Sequence, residues 1–131
     1  MKPDTPSAEA YANEPVRYLP LVVVDIEAEG KAVSDEYRNQ VLSRVNGSCL
    51  RLAVLSGDYP WHQHPQSDEL FLVVEGLLEI ELVSGTTLQL KPWQCVVIPA
   101  GTVHRTRGMG RTVNLCFEDL AADTVFVDHA T

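Results

Sequence analysis

Short runs of apolar residues alternate with turn-forming residues along most of this chain, a pattern that predicts β-strands. In residues 77–83, Leu78, Ile80 and Leu82 alternate with two glutamates. Because successive side chains of a strand point to opposite faces, this segment predicts one buried face and one exposed face. The sequence contains no evident long amphipathic helix and no internal repeat.

Further strands are predicted wherever an apolar run is bounded by Gly, Pro, Asn or Ser. These strands are residues 16–26, 40–45, 48–55, 70–74, 86–90, 95–98, 103–107, 111–118 and 124–127. Residues 95–98 are predicted to be buried, and the polar residues 27–39 are predicted to hold a short helix. Asn46–Gly47 predicts a type I′ hairpin turn, and residues 108–110 predict a second hairpin tip.

Many short strands separated by turns are typical of an all-β sandwich or small barrel. A chain of 131 residues is long enough for one domain with its own core. Residues 1–15 contain three prolines and mostly small or acidic residues, so we expect a flexible N-terminal arm there. Residues 16–131 are expected to form the single domain.

Composition excludes some classes of partner. The formal net charge of −8 argues against nucleic acid or an anionic membrane as the main partner, because both attract basic surfaces. No apolar run is long enough to span a bilayer, and the N-terminus lacks the apolar segment of a secretory signal. Cys49, Cys95 and Cys116 are widely spaced without a Cys-x-x-Cys pair. We therefore expect reduced, buried thiols in a cytoplasmic protein.

Three of the four histidines form one pattern with a glutamate. His62 and His64 lie at positions i and i+2 of an extended segment and therefore share a face. Glu69 begins the next strand and can reach the same point if that strand folds back, and His104 follows a later strand and turn. Together these four side chains predict a metal site. The alternative is a set of hydrogen-bonded histidines without metal, and His129 is expected to be incidental.

Three imidazoles and one carboxylate suit one divalent ion, such as iron, manganese, nickel, copper or zinc. No thiolate joins them, which disfavours a closed structural zinc site. An octahedral ion would keep two positions for water, oxygen or a chelating substrate, and this permits Lewis-acid or oxygen chemistry. Asp68 could replace Glu69 as a ligand, but strand parity and the six-residue gap to Gly76 favour Glu69.

Neighbouring side chains are candidates for a substrate pocket, with an ordinary core or surface role as the alternative. The candidates are Arg51, Trp61, Phe71 and Asn114, together with the polar residue Thr106. Arg51 is the only arginine with a plausible inward position, where it could bind an anionic group. Arg105 and Arg107 are expected to point outward if His104 points inward, because adjacent strand residues face opposite ways.

These motifs resemble those of the cupin family. The first cupin motif has Gly, a spacer, His-x-His, three or four residues, Glu, six residues and Gly. The matching residues are Gly57, His62, His64, Glu69 and Gly76. The second motif is matched in its middle by Pro99, Gly101 and His104. Trp93 and Gly108 stand where that motif usually has its first Gly and its last Asn, and the spacer after Gly57 is one residue short.

The resemblance covers residues 40–118, with its motifs at 57–76 and 93–108. It implies a double-stranded β-helix, or jelly-roll, barrel that binds one metal ion through His62, His64, Glu69 and His104. Within cupins, the chain resembles the small bacterial group described as mannose-6-phosphate-isomerase-like. Cupins of this kind pair through N-terminal strands, so the resemblance implies a homodimer formed through residues 16–26.

Three functions are compatible with these residues, because a fold of this kind hosts many chemistries. The first is a metal-dependent oxidoreductase, such as a dioxygenase, that acts on a small polar or acidic metabolite. The second is a non-catalytic module that binds a metal and a small molecule. The third is a sugar isomerase or epimerase, which needs an additional acid–base pair that the sequence does not reveal.

Overall fold

A computed structural model describes residues 7–128, which form a single antiparallel sheet of eight strands with two short helices. The helices are Ala8–Ala12 (α1) and Ile26–Lys31 (α2). The strands are Tyr37–Val45 (β1), Ser48–Gln63 (β2), Glu69–Glu75 (β3), Leu78–Leu82 (β4), Thr87–Leu90 (β5), Cys95–Ile98 (β6), His104–Asp119 (β7) and Val125–Phe126 (β8). The predicted all-β, double-stranded β-helix class is confirmed.

The two longest strands, β2 and β7, organise the sheet. Each has 16 residues, and they pair from Ser48 opposite Asp119 to His62 opposite His104. The main strand order is β1-β2-β7-β3-β6; β4 pairs with both β5 and β7, and β8 pairs with β2. Strand β7 therefore contacts β2, β3 and β4 along its length, which places its inward side chains at the centre of the molecule.

The prediction of a hairpin tip at residues 108–110 is wrong, because β7 continues through them. Gly108 pairs with both Gly57 of β2 and Leu78 of β4. A Cβ atom at this position would lie only 2.5 Å from the carbonyl oxygen of Leu55. A glycine is needed here because two backbones approach so closely, and the local sequence resembles a turn for this reason.

Two hydrophobic clusters lie on opposite sides of the sheet. The inner cluster fills the barrel and consists of Leu55, Tyr59, Phe71, Val73, Leu78, Ile80, Leu90, Ile98 and Cys116. The outer cluster includes Leu42, Leu52, Val54 and Val113, against which side chains from residues 18–33 pack. The predicted alternation in β4 is confirmed, since Leu78 and Ile80 are fully buried. Burial of each such side chain contributes about 1.5–3 kcal/mol.

The N-terminal stretch, for which we expect a flexible arm, contains a short helix. Residues 8–12 form α1, which Ser7 caps by accepting a hydrogen bond from Ala10 N–H. Tyr11 is the buried residue of this helix and reaches the barrel interior. Residues 1–6 lie outside the described part of the chain. The long-range contact of Tyr11 is not indicated by any local sequence pattern, and the flexibility of residues 1–15 stays a prediction.

Residues 16–26 do not form the predicted strand. Val16 makes an isolated parallel bridge to Val41, and Arg17 and Tyr18 donate backbone hydrogen bonds to β1. Beyond this point the chain leaves the sheet, and its apolar residues are largely exposed; Leu21, which has a φ of 72°, is fully exposed. A homodimer formed through this segment stays a prediction.

The remaining local predictions are met with two changes. The helix expected in 27–39 is α2, and the Asn46–Gly47 hairpin joins β1 to β2. The turn is not type I′, because only Asn46 has a positive φ, of 53°. Strand β6 is an edge strand and is mostly exposed, so the prediction that it is buried is wrong, as is that of a buried Cys95.

Cys49 and Cys116 are buried free thiols as expected. No helix among residues 7–128 is long and apolar enough to cross a membrane.

Candidate metal centre

Strand ends bring the predicted ligand residues together. His62 lies near the end of β2 and pairs with His104, the first residue of β7. His64 follows the end of β2, and Glu69 is the first residue of β3. The imidazole centroids of His62 and His104 are 4.3 Å apart, and those of His62 and His64 are 5.1 Å apart. The i, i+2 spacing thus places both β2-derived rings on the inner face.

The geometry of this cluster suits a single ion. One potential ligand atom from each of His62, His64, Glu69 and His104 lies within 4.8 Å of all the others. Glu69 Oε1 is 3.1 Å from His64 Nε2 and 3.7 Å from His104 Nε2. Ligands at about 2.0–2.2 Å from a common metal ion are separated by comparable distances. All four side chains are at most 4% exposed.

Backbone carbonyl groups orient the three imidazole rings. The Nδ1 atoms of His62 and His104 are each 2.8 Å from the carbonyl oxygens of Pro60 and Thr102, two residues earlier in the chain. His64 Nδ1 makes the same kind of contact with Asp123 at 3.0 Å. A carbonyl oxygen accepts, so each Nδ1 carries the proton and each Nε2 is the nitrogen that would be left to bind a metal ion.

Two atoms at the centre of the cluster support this interpretation. Glu69 Oε1 and His104 Nε2 are buried and have no hydrogen-bond partner among the described residues. A buried carboxylate oxygen without a partner is costly, and such groups in native structures call for an explanation. A cation among the four side chains would satisfy both atoms, and the donor set therefore fits a divalent metal ion.

The electrostatics of the cluster also favour a cation. Burial by itself raises the pKa of Glu69, but the neighbouring His104 and His64 imidazoles outweigh it and hold the pKa well below its usual value. Burial lowers the pKa of His64, but the interactions with Glu69 outweigh burial and raise the pKa to about 9. Burial and His104 lower the pKa of His62 to about 3. The pocket holds one negative charge that either a proton or a metal ion can balance.

A small cavity adjoins the cluster inside the barrel. Its volume is about 30 Å³, which is room for roughly two water molecules. The lining residues besides the cluster are Tyr11, Tyr37, Asn39, Ala53, Leu55, Tyr59, Phe71, Thr106, Asn114 and Cys116, with His62, His64 and Glu69 completing the wall. Of the predicted pocket residues, the structure places Phe71 and Asn114 at this cavity, and Thr106 joins them.

Trp61, one of the predicted pocket residues, lies elsewhere. Trp61 is outside the cavity lining, and its ring packs under the Arg105 guanidinium at 5.1 Å. Arg105 and Arg107 point outward as predicted, towards Glu81 and Asp58 respectively. Asp68 is exposed and accepts a hydrogen bond from Ala100 N–H, so it does not join the cluster.

Arg51 points inward, but neighbouring groups occupy its guanidinium. Its terminal nitrogens donate to Asn39 Oδ1 at 3.0 Å and to the Tyr11 carbonyl at 2.9 Å. The guanidinium lies 3.7 Å from the centre of the Tyr11 ring, and Nε faces Glu118 Oε2 at 3.8 Å. The predicted role in anion binding is therefore not supported, because the charged group is enclosed by its own partners.

Glu118 and Tyr11 lie beside the histidine cluster, and the sequence did not predict a position for either residue near the site. Tyr11 O–H donates to Glu118 Oε1 at 2.7 Å, and the Tyr11 ring stacks on His64. Burial, and secondly the charge of Glu69, raise the pKa of Glu118 to about 8. Even-numbered residues of β7 from His104 onward point inward. Strand parity would have identified Glu118 if β7 had been predicted as one strand.

A buried histidine–carboxylate cluster inside an antiparallel jelly-roll barrel defines a β-barrel protein with an internal ligand site. Residues 52–117, which include the entire cluster, match the family described as "Cupin domain", and the chain belongs to the cupin family. It is 50% identical over 96 residues to "Uncharacterized protein YdbB" of Bacillus subtilis, covering 73% of this chain and 85% of that protein.

Relatives with lower sequence identity include a plant germin-like protein and a bacterial protein of solved structure. The chain is 31% identical over 86 residues to "Germin-like protein subfamily 1 member 17" of Arabidopsis thaliana, covering 53% of this chain and only 39% of that protein. A solved cupin-2 domain protein from Shewanella frigidimarina superposes with a TM-score of 0.70 at 24% identity, over 74% of this chain and 94% of that one. That structural likeness supports the fold alone. The narrower mannose-6-phosphate-isomerase-like grouping stays a prediction.

Proposed function

We propose that this protein is a metal-binding cupin in which His62, His64, Glu69 and His104 hold one divalent ion, with Fe, Mn, Ni and Zn as the candidates. The observation that carries the proposal is the orientation of the three imidazoles. Each Nδ1 is tied to a backbone carbonyl, which leaves each Nε2 for the buried Glu69 carboxylate or a shared cation.

A bound ion of this type supplies Lewis-acid or oxygen chemistry at the positions that protein ligands leave open. The contribution of the chain is to fix the ligands and to limit water. Phe71 meets the His104 ring edge-on at 6.0 Å, and Tyr11 stacks on His64 at 5.8 Å. These contacts pack two of the imidazole rings into single orientations inside a cavity with little free volume.

For the activity, we propose a metal-dependent oxidoreductase of the dioxygenase type that acts on a small polar metabolite. The support is the combination of four buried protein ligands with a cavity too small for a large substrate. A sugar isomerase or epimerase has less support, because such an enzyme needs a separate acid–base pair. Tyr11 and Glu118 are titratable groups near the cluster, but they form a hydrogen bond with each other.

A non-catalytic binding module is the second candidate. The observation that favours it is the cavity itself, which has room for roughly two water molecules beside the cluster. A protein that only holds an ion and a small ligand needs no more space than this. Oxygen consumption by the iron-loaded protein with small chelating compounds separates the two candidates, since a binding module gains thermal stability from a ligand without turnover.

The test of metal binding is elemental analysis of protein purified without added metal or chelator, followed by metal titration. We expect about one ion per chain in the natural protein and in the control His129→Ala, which removes the fourth histidine of the sequence, a residue outside the described part of the chain. His104→Ala should lose stoichiometric metal. Mutation of a residue that only orients a ligand lowers metal affinity about 10–100-fold, and removal of the ligand itself should lower the affinity more. Equal metal content in all three proteins would refute the assignment.

A further inference from the structure

Tyr59 places an unused hydrogen-bond donor next to the ligand cluster. Its ring meets the His62 ring edge-on at 4.9 Å, and the side chain lines the same cavity. The residue is only 5% exposed, and its hydroxyl has no hydrogen-bond partner among the described residues. Tyr37 stacks on the Tyr59 ring at 5.3 Å. Burial raises the pKa of Tyr59 and the Tyr37 side chain partly offsets this, but no described residue forms a hydrogen bond of normal geometry with the Tyr59 hydroxyl.

A buried hydroxyl without a partner is unfavourable, so its presence beside a cavity points to a group that it binds. Thr106 and Asn114 are also buried at this cavity and add polar surface. The free volume of about 30 Å³ corresponds to roughly two water-sized atoms. This space matches a head group with two neighbouring oxygen atoms and excludes a bulky one.

The charges around the cavity limit the ligand further. The lining residues include no lysine or arginine. Arg51, which lies closest behind the wall, is held by Asn39, the Tyr11 carbonyl and the Tyr11 ring. A phosphate ester or dicarboxylate would therefore find no side-chain cation, and Glu69 already offsets one of the two charges of the proposed ion.

We propose that Tyr59 determines the ligand specificity of this site. The ligand is a neutral or singly charged small molecule with two adjacent oxygens, such as an α-hydroxyketone or a hydroxamate. One oxygen binds at the proposed metal centre, and the other accepts a hydrogen bond from the Tyr59 hydroxyl. This inference rests on the proposed metal function, and it makes sugar phosphates poor ligands.

The test measures binding to the metal-loaded protein by isothermal titration calorimetry. Acetohydroxamate serves as the two-oxygen probe, azide as a singly charged probe that binds a metal at one point, and inorganic phosphate as the more highly charged probe. We expect Tyr59→Phe to weaken acetohydroxamate binding about tenfold, as the loss of one buried hydrogen bond does. Azide affinity and metal content should stay unchanged.

Tyr18→Phe is the matched control, because the Tyr18 hydroxyl bonds to Glu29 outside the cavity. It should bind all three probes as the natural protein does, and phosphate should bind at least about tenfold more weakly than acetohydroxamate in each protein. Equal acetohydroxamate affinity in Tyr59→Phe and the natural protein, an equal loss for azide, or tighter phosphate binding would overturn the inference.

The two proposals fail in different ways. Full metal content with no effect of Tyr59→Phe refutes the role of Tyr59 and leaves the metal site intact. Absence of stoichiometric metal in the natural protein refutes both. If Tyr59→Phe itself loses metal, Tyr59 supports the ligand cluster instead of the ligand, and the specificity role is refuted.

Discussion

The barrel contains two neighbouring polar clusters that are built in opposite ways. In the histidine cluster, His62, His64, His104 and Glu69 converge with atoms that lack hydrogen-bond partners. In the arginine cluster, formed by Arg51, Glu118 and Tyr11, the chain supplies its own permanent cation, the Arg51 guanidinium, which faces Glu118 and the Tyr11 ring. Arg51 Nε and Glu118 Oε2 also lack a hydrogen-bond partner among the described residues, but they face each other as an ion pair at 3.8 Å. Both clusters are buried, and they meet where Glu69 pairs with Glu118 across β3 and β7.

The difference separates a binding site from a structural support. Buried groups whose charges balance each other rigidify a core, whereas a buried carboxylate among imidazoles, without a permanent cation of the chain, remains available to a cationic ligand. The sequence alone makes Arg51 look like a binding residue because it is an arginine on an inward strand face. Its contacts show that burial and charge do not identify a binding residue when the charged group is already enclosed by partners of the same chain.

Removal of the guanidinium should have the largest effect on stability. Arg51→Met loses hydrogen bonds to Asn39 and the Tyr11 carbonyl and leaves Glu118 buried without its cation. We expect the free energy of unfolding, measured by urea denaturation, to fall by about 3 kcal/mol or more. Metal content of the folded protein should be unchanged, because Arg51 does not touch the histidine cluster.

The matched control for this variant is Arg105→Met. Arg105 forms a partly exposed ion pair with Glu81 at 2.8 Å, and pairs of this kind contribute about 0–1 kcal/mol. If Arg51→Met costs no more than Arg105→Met, the arginine cluster is not the structural support described above.

Two variants, each of which removes a single tyrosine hydroxyl, compare the stability contributions of the two clusters. Tyr11→Phe removes the donor to Glu118 Oε1 and should cost about 1–3 kcal/mol, because it leaves a buried acceptor unsatisfied. Tyr59→Phe removes a buried hydroxyl without a partner, so the free energy of unfolding without ligand should stay unchanged or rise. Thermal and urea unfolding of both variants without added ligand would check this, and equal costs would contradict it.

The smallest effect is expected at Asp68, the neighbour of Glu69. Asp68 lies outside the histidine cluster and accepts one hydrogen bond from Ala100 N–H at 2.9 Å. Asp68→Asn keeps an acceptor oxygen, so stability should change by less than about 0.5 kcal/mol and metal content should not change. Loss of metal in this variant would mean that the histidine cluster includes the wrong carboxylate.

Much of the fold and the histidine cluster could be predicted from sequence, because both depend on short-range regularities. Strand alternation identified β4, and the i, i+2 spacing placed His62 and His64 on one face. The motif glycines could be located because some backbone positions exclude side chains. Gly76 has a φ of 87°, and a Cβ atom there would lie 2.6 Å from the carbonyl oxygen of Arg111.

The predictions that failed depend on contacts between distant parts of the chain. Tyr11 contacts Glu118 across 107 residues, and nothing near Tyr11 in sequence indicates this pairing. Gly108 resembles a turn residue in the sequence, because a close approach of two strands and a turn both select glycine. Trp93 adopts a φ of 69° where the cupin motif has glycine. The backbone at this position thus has a positive φ, although tryptophan, unlike glycine, disfavours that conformation.

The central position of β7 has a consequence for the order in which the molecule is assembled. Synthesis proceeds from the N-terminus, and β1 and β2 can pair early as a local hairpin. Three of the four residues of the histidine cluster precede β7, yet β2, β3 and β4 all need β7 as a neighbour. The histidine cluster is therefore completed late, because its four side chains come together only when the barrel has closed around β7.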